Sequence, residues 1–321
     1  MRLAGKHVLV TGGAGFIGSN LVIRLVELGN KVTVYDNLST GQLDFLKDVK
    51  DRINLIKADL LDKAALEQAM KGVDLVFHMA AHADVKENLK HPEKVLEQNT
   101  IVTSNVLEAM RKNGVSHVAF PSTGSVYGEP DVHPTPEGAP FPTQTSMYGA
   151  SKLAGEGLLQ AYSVGFGFNV YIFRFVSFMG EHYTHGCVFD FMNKLRKDPT
   201  KLDILGDGRQ RKSYLYVKDG VNAMIAAIGA SEENLNIFNL GHDDYIEVTP
   251  IAQIVCEELG LKDVKFNYSG GERGWVGDSP FIHLDISKLK KLGWKPTLSI
   301  PDCVRRTAQW LKAHPEVLER R

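Results

Sequence analysis

HVLVTGGAGFIG, residues 7–18, places a run of strand-forming residues directly before a turn rich in glycine. The glycine spacing fits both G-x-G-x-x-G (Gly13, Gly15, Gly18) and G-x-x-G-x-x-G (Gly12, Gly15, Gly18). Glycines allow a tight turn and a close approach of backbone N–H groups to a pyrophosphate, and a helix that starts there adds partial positive charge. Because a helical pattern follows the turn, these residues predict a dinucleotide-binding βαβ unit.

An acidic residue ends the second predicted strand. Asp36 lies 18 residues beyond Gly18. A carboxylate there can accept hydrogen bonds from both hydroxyls of an adenosine ribose and would repel a 2′-phosphate, which favours NAD over NADP. Asp59, after the third strand, is a candidate partner for the adenine ring. The alternative for Asp59 is an N-cap of the helix that follows.

Strand and helix patterns alternate through the first half of the chain. The predicted strands are His7–Thr11, Lys31–Tyr35, Ile53–Lys57, Leu75–His78, His117–Pro121 and Asn169–Arg174, and the predicted helices are Ile17–Leu28, Lys63–Met70, Glu93–Asn113 and Met147–Gly165. Nearly all-apolar strands that alternate with helices predict an α/β fold, namely a Rossmann-type doubly wound parallel sheet with helices on both faces.

The pattern changes after Phe175, where loops lengthen and strands become fewer. Two later strands, Lys201–Leu205 and Leu235–Leu240, flank a helix at Val217–Ala230, and a last helix lies near Pro301–Ala313. We therefore predict an NAD-binding domain over residues 1–174 and a smaller C-terminal α/β substrate lobe over residues 175–321. Part of this lobe, roughly residues 217–245, is expected to return to the main sheet.

The overall composition limits the classes of partner. The chain of 321 residues has a formal net charge of −1, which gives no indication of a nucleic-acid or membrane partner. Its three cysteines (Cys187, Cys256 and Cys303) are odd in number and far apart, which favours a reducing compartment over a disulfide framework. With no signal-peptide pattern and no run of roughly 18 apolar residues, we expect a cytoplasmic protein.

A tyrosine and a lysine four residues apart, Tyr148 and Lys152, share one face of the predicted helix Met147–Gly165. An ammonium beside a phenol should lower the Tyr148 pKa from about 10 toward neutrality, so that the tyrosine can take a proton from a substrate hydroxyl while hydride leaves for NAD. Thr123 follows the fifth strand at the C-terminal edge of the sheet, where its hydroxyl could share this proton. A surface tyrosine with a lysine one turn on is the alternative.

Several segments taken together resemble those of the extended short-chain dehydrogenase/reductases, specifically the nucleotide-sugar epimerases and dehydratases. The segments are TGGAGFIG (11–18), DNLSTG (36–41), HMAA (78–81), STGSVYG (122–128), Tyr148 with Lys152, GDGRQRKSYLYV (206–217) and GD (277–278). They cover nearly the whole chain. The chain is most similar in character to proteins of the UDP-glucose/UDP-galactose 4-epimerase type.

The resemblance implies which residues surround the two ligands. Those around NAD would be Gly12, Gly15, Phe16, Ile17, Gly18, Asp36, Asn37, Ser39, Thr40, Gly41, Asp59, Leu60, Ala80, Ala81, Asn99, Tyr148, Lys152 and Phe175. Those around a nucleotide sugar would be His82, Asp84, Thr123, Ser125, Ser177, His185, Gly186, Val188, Ile204, Leu205, Arg211, Lys212, Arg273 and Asp278. Arg211 or Lys212, together with Arg273, would hold the substrate diphosphate. A loop-capping role is the alternative for His82 and Asp84.

The two residues after Thr123 separate the reaction types of this family. Dehydratases place an Asp–Glu pair or a Glu there, decarboxylases a Glu and 3,5-epimerases a Cys, whereas this chain has Gly124 and Ser125. Neither residue does acid–base chemistry at neutral pH, and a 4-epimerase needs no second acid–base pair. The resemblance thus implies inversion at C4 through a transient 4-keto sugar. A reductase or dehydrogenase of 4-keto sugars, another nucleotide-sugar epimerase and a non-catalytic NAD sensor are the alternatives.

Two further features bear on the substrate and the assembly. Ser177 stands where the family usually has an Asn that touches the substrate, which leaves the nucleotide base and the hexose open. The resemblance implies a homodimer that pairs the helices Glu93–Asn113 and Met147–Gly165.

Three potential metal ligands, His182, His185 and Cys187, lie close together in the sequence. They lack a fourth ligand at finger-like spacing, so we predict no metal site and favour a substrate loop hinged at Gly186. His78, at the end of a buried strand, is expected to be a hydrogen-bonded core residue.

Overall fold

The computed structural model describes residues 1–83, 89–141, 143–275 and 277–320. The strands in chain order are β1 (His7–Thr11), β2 (Lys31–Asp36), β3 (Ile53–Lys57), β4 (Leu75–His78), β5 (His117–Thr123), β6 (Asn169–Phe175), β7 (Ser177–Met179), β8 (Lys201–Ile204), β9 (Arg211–Lys212), β10 (Tyr214–Tyr216), β11 (Leu235–Leu240), β12 (Ile246–Glu247), β13 (Lys265–Tyr268) and β14 (Phe281–Ile282).

The helices begin with α1 directly after the glycine turn. They are α1 (Phe16–Glu27), α2 (Lys63–Ala69), α3 (Pro92–Val95), α4 (Val102–Lys112), α5 (Met147–Phe166), α6 (Cys187–Lys197), α7 (Val217–Ala230), α8 (Val248–Leu259), α9 (Ser287–Lys290), α10 (Ile300–Ala313) and α11 (Pro315–Glu319). The predicted helix Glu93–Asn113 is divided, because a π-helical segment at Leu96–Ile101 separates α3 from α4.

Seven parallel strands form the central sheet in the order β11-β6-β5-β4-β1-β2-β3. Strands such as Val8–Val10 are fully buried because both faces of the sheet are covered by helices, as the nearly continuous apolar runs require. The predicted Rossmann-type α/β fold is confirmed. The outer strand β3 is the exception, since its residues are half-buried or exposed.

The second half of the chain adds short sheets that the sequence did not indicate. β9 pairs with β12 and β14, β7 with β10, and β8 with β13. The expectation of fewer strands after Phe175 was therefore wrong, because most of these strands have only two or three residues and are too short to show a periodicity. β11 lies at the edge of the main sheet beside β6. The division into two domains stays a prediction.

The two ends of α5 have clear signals in the sequence. Ser146 is the N-cap, and its hydroxyl accepts a hydrogen bond from the backbone N–H of Gly149. Gly167 ends the helix in the left-handed conformation, with φ of 70°. Gly155 lets this helix approach β5 closely, because a Cβ at Gly155 would lie 2.8 Å from the ring of Phe120. Within the described residues, no helix has the length and apolar character needed to cross a bilayer.

Candidate active site

The glycine turn brings three parts of the backbone close together. Gly12 has φ of 65°, and a Cβ there would lie 2.7 Å from the backbone of Ala80, which follows β4. A Cβ on Gly18 would overlap the carbonyl oxygen of Gly12 and lie 2.9 Å from Cα of Gly13. The turn therefore leaves backbone N–H groups at the start of α1 with no side chain over them, which fits a bound pyrophosphate.

Asp36 is held against this turn at the end of β2. Its carboxylate accepts hydrogen bonds from the backbone N–H groups of Ala14, at 2.9 Å, and Leu38, at 2.8 Å. A Cβ on Gly41 would lie 2.9 Å from Ala14 Cβ and from an oxygen of Asp36, so this glycine keeps the loop close to the carboxylate. The surroundings fit an adenosine ribose with a free 2′-hydroxyl.

The charge of Asp36 should set the preference between NAD and NADP. In Asp36→Asn we expect this preference to narrow by about fivefold or more, because two charges about 4 Å apart interact by roughly 1 kcal/mol in water and roughly 4 kcal/mol near a protein surface. Dissociation constants of both dinucleotides, measured by calorimetry, test this. Asp62→Asn is the matched control, since Asp62 caps α2 and Asn caps a helix equally well. An unchanged preference in Asp36→Asn would rule out this role.

The residues predicted around adenine and along the cofactor channel are linked by hydrogen bonds. Asp59 accepts from Asn37 Nδ2 at 2.8 Å and from the backbone N–H of Leu61. The alternative of an N-cap for Asp59 is wrong, because Asp62 caps α2. Asn99, on the π-helical segment, accepts from the N–H of His82 at 2.7 Å and donates to the hydroxyl of Ser151 at 2.9 Å.

The catalytic candidates lie on two adjoining elements. Thr123 ends β5, and its hydroxyl caps the short 3-10 turn Gly124–Tyr127 by accepting from the N–H of Ser125. A Cβ on Gly149 would lie 2.9 Å from the carbonyl oxygen of Ser125, so the residue after Tyr148 touches the loop after Thr123. The fold thus brings the loop that begins at Thr123 and the start of α5 to one edge of the sheet.

Lys152 is buried and lies between β5 and Tyr148. Its Nζ donates to the carbonyl oxygen of Pro121 at 2.9 Å and lies 4.4 Å from the centre of the Phe120 ring. The same Nζ is 6.0 Å from the centre of the Tyr148 ring. Because an ammonium has three donors, Lys152 retains two for a ligand or for the phenol.

The expected lowering of the Tyr148 pKa was wrong for the chain as described. Burial raises the pKa of Tyr148 to about 12, and burial lowers the pKa of Lys152 to about 7 against the opposing effect of Glu156. The sequence shows the spacing of the two residues but not their loss of water. Stabilisation of a phenolate must therefore come from hydrogen bonds formed when substrate is bound.

His78 is a core residue, as predicted. Its ring bonds the hydroxyls of Thr11 at 2.8 Å and Thr103 at 3.0 Å. Burial, reinforced by the charge of Lys152, lowers the pKa of His78 to about 3, so the ring is neutral.

The comparisons with known proteins agree with this geometry. Residues 8–241 match the model of the NAD-dependent epimerase/dehydratase family. The chain belongs to this family. NAD is accordingly the cofactor of this chain, and the geometry of the glycine turn and Asp36 fits it.

Proteins that are similar to this chain are named for different reactions. The chain is 33% identical to a putative UDP-glucose 4-epimerase of Methanocaldococcus jannaschii, over 95% of this chain and 98% of that protein. It is 30% identical to a UDP-N-acetyl-alpha-D-glucosaminuronate decarboxylase of Bacillus cytotoxicus, over 96% and 98%. A crystal structure of a UDP-galactose 4-epimerase is 40% identical, covers 96% of this chain and 99% of its own, and superposes with a TM-score of 0.86. These findings establish a nucleotide-sugar enzyme of the epimerase/dehydratase type.

The cations expected to hold the diphosphate of this family's substrates are only partly brought together. Lys212 Nζ bonds the carboxylate of Asp278 at 2.5 Å, and Arg273 donates to the carbonyl oxygen of Asp278 at 2.9 Å. Arg211 lies apart from this group, with its guanidinium 4.4 Å from the centre of the Phe281 ring. Successive side chains on β9 point to opposite faces, so of the two candidates it is Lys212 that joins Arg273.

The remaining substrate candidates differ in their exposure to solvent. Val188 and Ile204 are buried, whereas Ser177, His185, Gly186 and Leu205 are exposed and Ser125 and His82 are half-buried. Gly186, with φ of 104°, is the N-cap of α6, which fits a hinge position. Asp84 lies outside the described residues.

The three potential metal ligands, for which no metal site was predicted, lie near other side chains. His182 Nδ1 bonds the hydroxyl of Ser19 at 2.7 Å, and its ring stacks on Phe45 at 4.4 Å. Cys187 Sγ lies 3.5 Å from the hydroxyl of Tyr214. Across the described ranges, no group of three or more His, Cys, Asp or Glu side chains is arranged to hold a metal.

Two charged residues near the catalytic candidates were missed by the sequence analysis. Glu156 and Arg174 form an ion pair at 2.7 Å with side chains that are 0% and 2% exposed. Glu156 follows Lys152 by one helical turn, which was the only signal available. Arg174 precedes Phe175, the residue expected to face the nicotinamide.

Proposed function

We propose that the protein is an NAD-dependent 4-epimerase of a nucleotide-activated hexose of the UDP-glucose/UDP-galactose type. The observation that carries this proposal is the loop after Thr123. Gly124 is buried and Ser125 is half-buried, and a Cβ on Gly124 would already contact Ile282 and the carbonyl oxygen of Phe175 at 3.4 Å. No carboxylate or thiol stands at these two positions, where dehydratases, decarboxylases and 3,5-epimerases of this type carry one.

The roles of the catalytic residues follow from their surroundings. Tyr148 takes the proton of the substrate 4-hydroxyl and later returns it, and Thr123 shares this proton through its hydroxyl. Lys152 stabilises the phenolate through its two free donors. NAD, held by the glycine turn and Asp36, would supply a reversible hydride acceptor for C4 of the sugar. Lys212 and Arg273 hold the diphosphate, in exchange for part of their contacts with Asp278.

An assay of products tests the proposed reaction. The purified protein is incubated with UDP-, GDP-, CDP- and dTDP-hexoses, and the products are followed by NMR. We expect interconversion of UDP-glucose and UDP-galactose with no net formation of NADH. NADH consumption with a 4-keto sugar would instead identify a reductase, and CO2 release from a nucleotide-activated uronic acid would identify a decarboxylase. Either outcome without epimerisation would contradict the proposal.

We also infer a homodimer in the cytoplasm. The helical segments around α3–α4 and α5 carry exposed apolar side chains, among them Leu96 (55% exposed), Val164 (87%) and Phe166 (55%). Such side chains favour burial against a second copy of the chain.

A further inference from the structure

The buried ion pair beside the catalytic candidates calls for a reason other than stability. Arg174 donates to Glu156 from Nε at 3.0 Å and from Nη2 at 2.7 Å, and Ser122 donates to Glu156 at 2.5 Å. Removing two charges from water costs about as much free energy as their attraction returns. An apolar pair of similar size would therefore stabilise the fold to the same degree. The parts of the site that Glu156 and Arg174 position supply such a reason.

The helix α5 and the strand β5 are joined at two successive points. Lys152 bonds the carbonyl oxygen of Pro121, and Glu156, one turn further along α5, bonds the hydroxyl of Ser122. The next residue of β5 is Thr123, and one turn before Lys152 stands Tyr148. The bonds made by positions 152 and 156 therefore fix the register in which the start of α5, with Tyr148, lies against the loop after Thr123.

Arg174 extends this connection to two more strands. It pairs in register with Ser122 across β5 and β6, and its Nη1 donates to the hydroxyl of Tyr127 at 2.7 Å. That hydroxyl donates to Asn239 on β11 at 2.8 Å. Ser122 and Arg174 thus hold the carboxylate of Glu156 from two directions, and it cannot rotate away from these two partners.

The titratable groups near Lys152 lie on three elements. Tyr148 and Glu156 lie on its own helix, His78 on β4 is neutral, and Arg174 on β6 is paired with Glu156. Glu156 therefore supplies the negative charge acting on this buried amine. Burial alone disfavours the ammonium, and the charge of Glu156 opposes that effect.

We propose that Glu156 is a positioning residue for the reaction: its carboxylate, fixed by Arg174 and Ser122, favours the charged form of Lys152 and holds α5 in register with the strand that carries Thr123. This rests on the proposed function for the role of Lys152. The electrostatic part is independent of any activity and can be measured directly on the protein.

The test is a titration of Lys152 in Glu156→Gln. NMR of protein labelled with 13C-lysine follows the Cε signal of Lys152, assigned by its loss in Lys152→Met. We expect the pKa of Lys152 to fall by about one unit in Glu156→Gln. Ser122→Ala is the matched control, because it removes a hydrogen bond of Glu156 but no charge, and its Lys152 should titrate as in the parent protein.

A second variant is available if Glu156→Gln does not fold, and the pH profile of kcat is a second measurement. Glu156→Gln leaves Arg174 unpaired, so if that variant does not fold, Glu156→Gln combined with Arg174→Met is used, and the fall in pKa is expected in the same direction. The alkaline limb of the pH profile of kcat should move to lower pH with it. An unchanged Lys152 pKa in a folded variant would overturn the proposal. Absence of epimerisation in the parent protein would instead overturn the proposed function and leave the titration valid.

Discussion

Tyr148→Phe is expected to lower kcat by about 100- to 10,000-fold while the protein keeps its NAD, because proton transfer by a positioned side chain contributes that much to a rate. The substitution removes only the hydroxyl. The ring, which lies 6.0 Å from Lys152 Nζ, stays in place, so the binding of NAD and the stability of α5 should change little. Turnover is measured with the hexose that the parent protein epimerises, and bound NAD is measured after denaturation.

A second tyrosine on the same helix provides the control. The Tyr162 hydroxyl donates to Glu108 near the surface, away from Thr123 and Lys152. Tyr162→Phe should therefore keep kcat within about twofold of the parent protein, since surface substitutions have small effects. Near-normal turnover in Tyr148→Phe would mean that another group moves the proton, and the assignment of Tyr148 would fail.

The high pKa of Tyr148 means that the phenol needs other groups in order to act as a base. A phenol whose pKa is about 12 is protonated at neutral pH and is a poor base. It becomes an effective base only if hydrogen-bond donors reach its oxygen when ligands are bound. The two free N–H groups of Lys152 can act as these donors. A buried ammonium with a pKa of about 7 is itself only partly charged at neutral pH. The charge of Glu156 beside it then matters to the rate.

The sequence predicted the main sheet well for a physical reason. β1, β3, β4 and β11 have the predicted limits to the residue. β1, β4 and most of β11 are buried, and buried strands read as apolar runs bounded by polar or glycine residues. β9, β12 and β14 were missed, since two residues cannot show a period. The π-helical segment at Leu96–Ile101 was missed because its hydrogen bonds change without any change in the hydrophobic pattern.

The site was predictable where its function depends on local spacing. Gly12, Gly18 and Asp36 lie close together because the turn between β1 and α1 and the end of β2 are neighbours in any fold of this kind. The pair of Glu156 and Arg174 could not be found this way. Charged residues in a sequence normally indicate surface, and only the packing of α5 on β5 and β6 shows that both are buried.

Gly18→Ala is expected to have the second large effect, on the affinity for NAD. The new Cβ would overlap the carbonyl oxygen of Gly12 and lie 2.9 Å from Cα of Gly13, so only a shift of the backbone can make room. Overpacking of this kind costs about 1–3 kcal/mol, which corresponds to a loss of affinity of about 5- to 150-fold if the turn is the part that moves.

Gly157→Ala is the matched control for this substitution. Gly157 is also a helical glycine, on α5, but a Cβ there would meet nothing within 4 Å. Alanine is the better helix former by up to about 1 kcal/mol, so Gly157→Ala should be neutral or stabilising. NAD affinity and thermal unfolding are measured for both variants. If Gly18→Ala binds NAD as tightly as Gly157→Ala, then α1 can move away from the turn without loss, and the close contact between Gly12 and Gly18 is not what holds the pyrophosphate.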